Sequence, residues 1–155
     1  MKRVLCLIIL SFIAIGFISC SKPLSEEERV KSVIEDFAAS ARDKDIKRFL
    51  SHVSKSFSNG DGVDYNGVKG ILLAQFLRAE KVSVVVRDVK VEVKGETALA
   101  DVKAILISGR EVKTIGGTLP DDAAGYRFSI IFKKEDNEWK AVTAKWDNVG
   151  ATALF

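Results

Sequence analysis

The apolar residues of this 155-residue chain change their period once, near Val82, from helical spacing to strict alternation. A helix buries one stripe of side chains and a strand buries every second one, so the two halves have different structures. Ahead of the switch, Val30, Val33, Ile34, Phe37, Ala38 and Ala41 form a single stripe, which predicts a helix over residues 26–42. Ser25 and Glu28 have capping-box spacing, and Glu26 and Glu27 suit the positive end of the helix dipole. Asp43-Lys44-Asp45 is a break and restart, and Asp45 caps a second helix carrying Ile46, Phe49, Leu50 and Val53. Asn59-Gly60-Asp61-Gly62 is turn chemistry. Asp64 or Asn66 then caps a third helix through Val68, Ile71, Leu72, Gln75, Phe76 and Ala79, although Gly67 and Gly70 weaken its start.

Beyond Val82 the pattern is that of half-buried antiparallel strands. Val89, Val91 and Val93 alternate with Lys90, Glu92 and Lys94. Lys94-Gly95-Glu96 turns the chain, and residues 97–107 run back with Ala98, Ala100, Val102, Ala104 and Leu106 facing inward. A further strand is expected over residues 110–115 and a loop over 116–125. Residues 126–133 form a strand with Phe128, Ile130 and Phe132 on one face. A tight turn at 134–137 leads to the last strand, 138–146, and the tail 147–155 suggests no structure. Helices followed by a meander of strands mean an α+β fold, with the helices packed on one face of the sheet.

The N-terminus carries a different signal. Lys2 and Arg3 precede an apolar run from Val4 to Phe17, broken only by Ser11 and Gly16. So short a run suits the core of an export signal better than a membrane span of roughly 20 residues. Phe17-Ile18-Ser19-Cys20 resembles the bacterial lipobox, with Ser19 as the small residue before Cys and Phe17 where Leu is usual. Residues 1–19 are therefore expected to be a lipoprotein signal peptide, 20–24 the lipidated Cys20 and a short tether, and 25–155 one domain. The competing reading is an uncleaved N-terminal anchor. Ser21 resembles an outer-membrane sorting signal, which applies if the cell has two membranes.

Cysteine count and charge then remove several function classes. Of the two cysteines, Cys6 leaves with the signal and Cys20 takes the lipid, so the mature domain has no thiol for catalysis, disulfides or metal ligation. The formal charge of +3 falls to +1 when Lys2 and Arg3 depart, which is no footprint for nucleic acid. With one histidine, a transition-metal site is not expected, and no cofactor is implied.

Two segments resemble the nuclear transport factor 2-like, or cystatin-like, α+β cone. One is the helix-break-helix stretch from Phe37 to Leu50. The other is the closing hairpin from Phe128 to Val142, with its Glu138-Trp139-Lys140 ending. The resemblance spans about residues 24–148. It implies helices packed on a curved antiparallel sheet, in a family holding isomerases, dehydratases and epoxide hydrolases as well as transport adaptors and non-catalytic binding domains.

Few residues are candidates for chemistry. His52 could be a general base near the mouth of the cone, but its polar neighbours Ser51, Ser54, Lys55 and Ser56 suggest the exposed end of a helix. Asp64 with Tyr65 is the best carboxylate pairing, although Asp64 has the simpler task of capping a helix. Asp88, beside Arg87, reads as surface. Asp101 lies on the charged face of its strand, within reach of Lys90 or Lys94 across the hairpin. Tyr65, Phe76, Tyr126, Phe128, Trp139 and Trp146 could line a ligand cavity or simply pack the core. The resulting expectation is a lipid-anchored envelope protein whose non-enzymatic domain binds a small apolar ligand or a protein partner, with homodimerisation through the sheet face as an option. The alternatives are a cofactor-free isomerase or dehydratase using a carboxylate or His52, and a structural role in envelope assembly. Cys20→Ser is expected to abolish lipidation, because only a thiol can form the thioether. Metabolic labelling with a fatty-acid analogue checks this, and equal label on the variant would contradict it.

Overall fold

The computed structural model describes residues 23–109 and 123–154. The signal peptide, Cys20, Ser21 and the strand expected over 110–115 lie outside the described residues. The described part contains α1 (Glu26–Asp43), α2 (Ile46–Ser51), α3 (Tyr65–Arg78), β1 (Val82–Lys94), β2 (Thr97–Ser108), β3 (Ala123–Glu135), β4 (Glu138–Asn148) and a 3-10 turn (Ala151–Leu154). The strands form one antiparallel meander in the order β1-β2-β3-β4. Helices against a curved antiparallel sheet make this an α+β fold, as the sequence pattern implies, and a cone, as the resemblance implies.

Local chemistry sets the start and end of α1. Ser25 Oγ accepts from Glu28 N, and the Glu28 carboxylate accepts from Ser25 N at 2.7 Å, completing the capping box. Lys44 ends the helix in a left-handed conformation (φ 54°) that reverses the chain toward Asp45. The Asp45 side chain then accepts from Arg48 N at 2.9 Å and starts α2.

The stripe of α1 packs on the inner face of the sheet. Val30 and Ile34, flanked by Val33 and Phe37, meet Ala98, Ala100, Val102, Ile130, Phe132, Trp139 and Ala141. The helix runs closest to β1, and the alanines of β2 leave room for the large side chains of its stripe. At the turn end of the sheet the buried Trp139 donates Nε1–H to Glu26 at 2.7 Å. Lys134 donates to the same carboxylate at 2.9 Å, and Arg29 reaches the Asn137 carbonyl at 2.5 Å. The Lys134 ammonium, helped by Trp139 and Arg29, holds the Glu26 carboxyl below the usual carboxylate range. At the far end Arg42 donates to the Val84 carbonyl at 3.1 Å, and Lys44 holds the Phe76 and Ala79 carbonyls at the end of α3.

A second cluster, Leu50, Val53 and Phe57, lies beside β4 and gathers Tyr65, Val68 and Leu72 from the α3 side. The segment after α2 is stitched along β4: Ala141 N donates to the His52 carbonyl, Ser54 N to the Ala141 carbonyl and Ser58 N to the Val142 carbonyl. Backbone groups that an edge strand would leave unpaired are satisfied in this way.

The structure departs from the sequence pattern in four places. Helix α3 has no buried residue, and Leu77 is 85% exposed. It rests on the second cluster through Tyr65, Val68 and Leu72, so its other apolar residues have no core to face. Beyond Ala104, the buried residues of β2 are Ile105 and Ile107 rather than Leu106, which is half-buried. They point to the outer face and are covered by the tail, where Ala151 and Leu154 pack on them. The tail, for which the sequence suggested no structure, is thus a strap, and β3 starts at Ala123 rather than Tyr126.

Gly125 makes the strap possible. Val149 N donates to its carbonyl at 2.9 Å, and a Cβ at residue 125 would lie 2.3 Å from the Gly150 carbonyl oxygen. Gly125→Ala is therefore expected to push the tail off and expose Ile105 and Ile107, costing about 1–3 kcal/mol of stability. Hydrogen exchange should show lost protection at Ala151 and Leu154. Unchanged exchange there would mean the close approach does not hold the tail.

Candidate functional site

Register decides which side chains share the inner face. Val84 lies opposite Leu106, Val86 opposite Ala104, Ala104 opposite Tyr126 and Phe128 opposite Trp146. Strand alternation puts Leu106, Tyr126 and Phe128 on the same face as the buried Ala98, Ala100 and Phe132. Toward the turns α1 covers the middle of this face, burying Ala98, Ala100, Phe132 and Trp139, while Val91 and Val93 on β1 are half-buried. Toward the other end it does not: Val84, Val86, Leu106, Tyr126 and Phe128 are half-buried, and Trp146 is 39% exposed. The Tyr126 and Phe128 rings lie 5.9 Å apart, tilted by 32°. None of these side chains is a carboxylate, an imidazole or an ammonium group. Among the described residues, the open end of the inner face is therefore aromatic and aliphatic apart from Asn148 opposite Tyr126, suited to holding an apolar molecule by contact rather than by charge.

His52 occupies a different place. It caps the C-terminus of α2, its side chain 24% exposed, with its ring edge-on to Phe37 at 5.7 Å. Nε2 meets Asp36 Oδ2 at 2.6 Å. Arg48 also binds Asp36, with Nε 3.1 Å from Oδ2 and a second nitrogen on Oδ1. The Arg48 guanidinium holds the Asp36 carboxyl below its ordinary range; burial opposes this as the next largest effect, and His52 adds to the lowering. A histidine held by a carboxylate is the usual arrangement of a general base. This pair, however, lies between α1 and α2, on the flank of α1 that carries the buried Ser40, and not at the end of the sheet face formed by Tyr126, Phe128 and Trp146. The mouth of the cone, where the sequence had allowed His52 to act, is elsewhere. Asp36 and Arg48 carried no signal in the sequence, because 12 and 16 residues separate Asp36 from partners that only the α1–α2 turn brings to it.

Residues 30–145 match the SnoaL-like domain family. The chain belongs to that family. Solved structures with the same fold include Bd1075 of Bdellovibrio bacteriovorus, with a TM-score of 0.66 and 11% identity over 80% of this chain and 41% of that one. A candidate dehydratase of the NTF2-like family from Streptomyces avermitilis has a TM-score of 0.64 and 19% identity, over 81% of this chain and 96% of that one. A protein with a cystatin-like fold from Nostoc punctiforme has a TM-score of 0.64 and 7% identity, over 83% and 94%. No curated protein sequence matches this chain.

Within the SnoaL-like domain the remaining candidates are dispersed. Asp64 caps α3, its Oδ1 accepting from Gly67 N at 2.8 Å. Tyr65 packs in the second cluster, with Lys55 Nζ 3.6 Å above its ring. Phe76 is half-buried on α3. Trp139 is 2% exposed and belongs to the core at the turn end. Asp88 pairs with Lys103 at 3.4 Å on the outer face, and Asp101 lies opposite Lys90 across the hairpin. Of the aromatic residues singled out by sequence, Tyr126, Phe128 and Trp146 are brought together. Among the described residues no three His, Cys, Asp or Glu side chains are grouped to hold a metal ion. As a helix cap, Asp64 should tolerate Asn, which accepts the same hydrogen bond, whereas Asp64→Ala should cost about 1 kcal/mol. Denaturant unfolding of the two variants side by side checks this, and a loss with Asn equal to that with Ala would show that the charge matters more than the cap.

Proposed function

We propose that this SnoaL-like domain is a non-enzymatic binding module for a small apolar ligand, carried in the bacterial cell envelope by a lipid on Cys20. The family includes ligand-binding and enzymatic members, so the choice rests on the site. The observation that carries it is the apolar grouping of Tyr126, Phe128 and Trp146 at the open end, which holds no acid, histidine or lysine side chain on the inner face among the described residues. An acid–base enzyme of the isomerase or dehydratase kind needs a carboxylate or imidazole aimed at the bound molecule. Asp88 and Asp101 are on the outer face, Asp64 caps a helix, and His52 bonds to Asp36 between α1 and α2. The lipobox supports the anchor, and the lining supports the ligand class; both remain the reading that best unites the two ends of the chain.

Titration with the apolar fluorophore N-phenyl-1-naphthylamine tests the reading. Saturable binding with energy transfer from tryptophan is expected. Phe128→Ser should weaken it about tenfold or more, equivalent to about 1.4 kcal/mol, with the circular dichroism spectrum intact. Absence of saturable binding, or equal binding by the variant, would overturn the proposal.

A further inference from the structure

The two ends of α1 mark the two ends of the cone. Its first turn is fastened to the hairpin turns, since Glu26 receives Trp139 and Lys134 and Arg29 reaches the Asn137 carbonyl. Its last turn is fastened to the open end, through Arg42 on the Val84 carbonyl and Lys44 on the end of α3. Eighteen helical residues at about 1.5 Å each separate these ends by roughly 27 Å. Pro23 is only three residues from Cys20, a reach of at most about 11 Å even when fully extended. A lipid on Cys20 is therefore bound to lie near the turns and far from Tyr126, Phe128 and Trp146.

We infer that the hairpin-turn end of the domain is its membrane-facing surface, and that the open apolar end points away from the bilayer into the aqueous space. The inference rests on the lipid-anchor reading above. Leu24, 61% exposed beside the first turn of α1, is placed to rest on the lipid interface. The surrounding exposed side chains are of both signs, with Lys94, Glu96, Lys133, Asp136 and Glu138 at the turns, so this end can lie against polar headgroups without strong attraction or repulsion. The ligand site then receives its occupant from the aqueous side, by diffusion or from another carrier. Direct withdrawal from the anchoring leaflet would require the domain to tip over on its short tether.

The chain contains its own rulers, because its two tryptophans lie at opposite ends. Trp139 is at the turns and Trp146 at the open end, seven residues along β4 and roughly 20 Å apart at about 3.3 Å per residue. The full-length protein, isolated from the membranes of an expressing bacterium, is reconstituted into vesicles of phosphatidylethanolamine and phosphatidylglycerol containing a dansyl-headgroup lipid. Energy transfer from tryptophan to dansyl is compared between the wild type and Trp146→Phe. Removing the distal donor leaves only the proximal Trp139, so the mean transfer efficiency should rise. An efficiency that falls or stays the same in protein that floats with the vesicles overturns the orientation and leaves the anchor standing. Protein that fails to float with the vesicles overturns the anchor and the orientation together. Trp139 is untouched in this design, so the core contact with Glu26 is preserved in both proteins.

Discussion

The contact on which the rest of the structure depends is the burial of the α1 stripe against the inner face of the sheet, where the helix runs closest to β1 and its side chains reach the alanines of β2. Val30 and Ile34 lie over Ala98, Ala100 and Val102, with Phe132 and Trp139 closing the sides. Each large side chain buried there contributes about 1.5–3 kcal/mol, and the small residues beneath allow the approach that makes those contacts dense. The same contact sets the path of the chain. With α1 held at the turns by Glu26 and at the far end by Arg42, the left-handed Lys44 directs α2 toward β4, and the following segment is bonded along that edge.

The domain is asymmetric along its axis. At the turn end the middle of the inner face is buried and a buried indole N–H finds a carboxylate acceptor, which satisfies a group that would otherwise be costly to bury. At the opposite end the same face continues as apolar but is only partly covered. Helix α3 buries nothing fully and leans on the second cluster rather than on the sheet. A gradient from packed core to half-covered apolar surface along one sheet face is how a cone can be stable and still offer a place for a ligand.

The outer face is divided differently. Charged residues occupy much of it, including Asp88 with Lys103 and the opposed Lys90 and Asp101. The strap of Ala151 and Leu154 covers Ile105 and Ile107 on the same face. Leu99 and Ile131, paired across β2 and β3, remain exposed between these regions. Any association of two sheets would have to accommodate the strap.

Local rules were enough to read much of this from the sequence. Capping boxes, turn residues and the change of period concern neighbours a few residues apart, so Ser25, Asp45, Asp64 and the hairpin turns could be placed without the fold, as could the α+β class. The grouping of Tyr126, Phe128 and Trp146 was legible only in part, because alternation places each on a face but does not say which end of that face is covered. Other features depended on contacts between distant segments. The His52–Asp36–Arg48 cluster forms because Lys44 turns α2 back on α1. The reversal of burial at Ile105 and Ile107 exists because Gly125 admits the tail. The sparse packing of α3 reflects which surfaces α1 and α2 had already occupied. Sequence alone determined the elements and their inward residues, since periodicity and capping act over one or two turns. Only the tertiary structure decided which apolar residues became core and which became the open end, since burial depends on what is brought against a face from elsewhere in the chain.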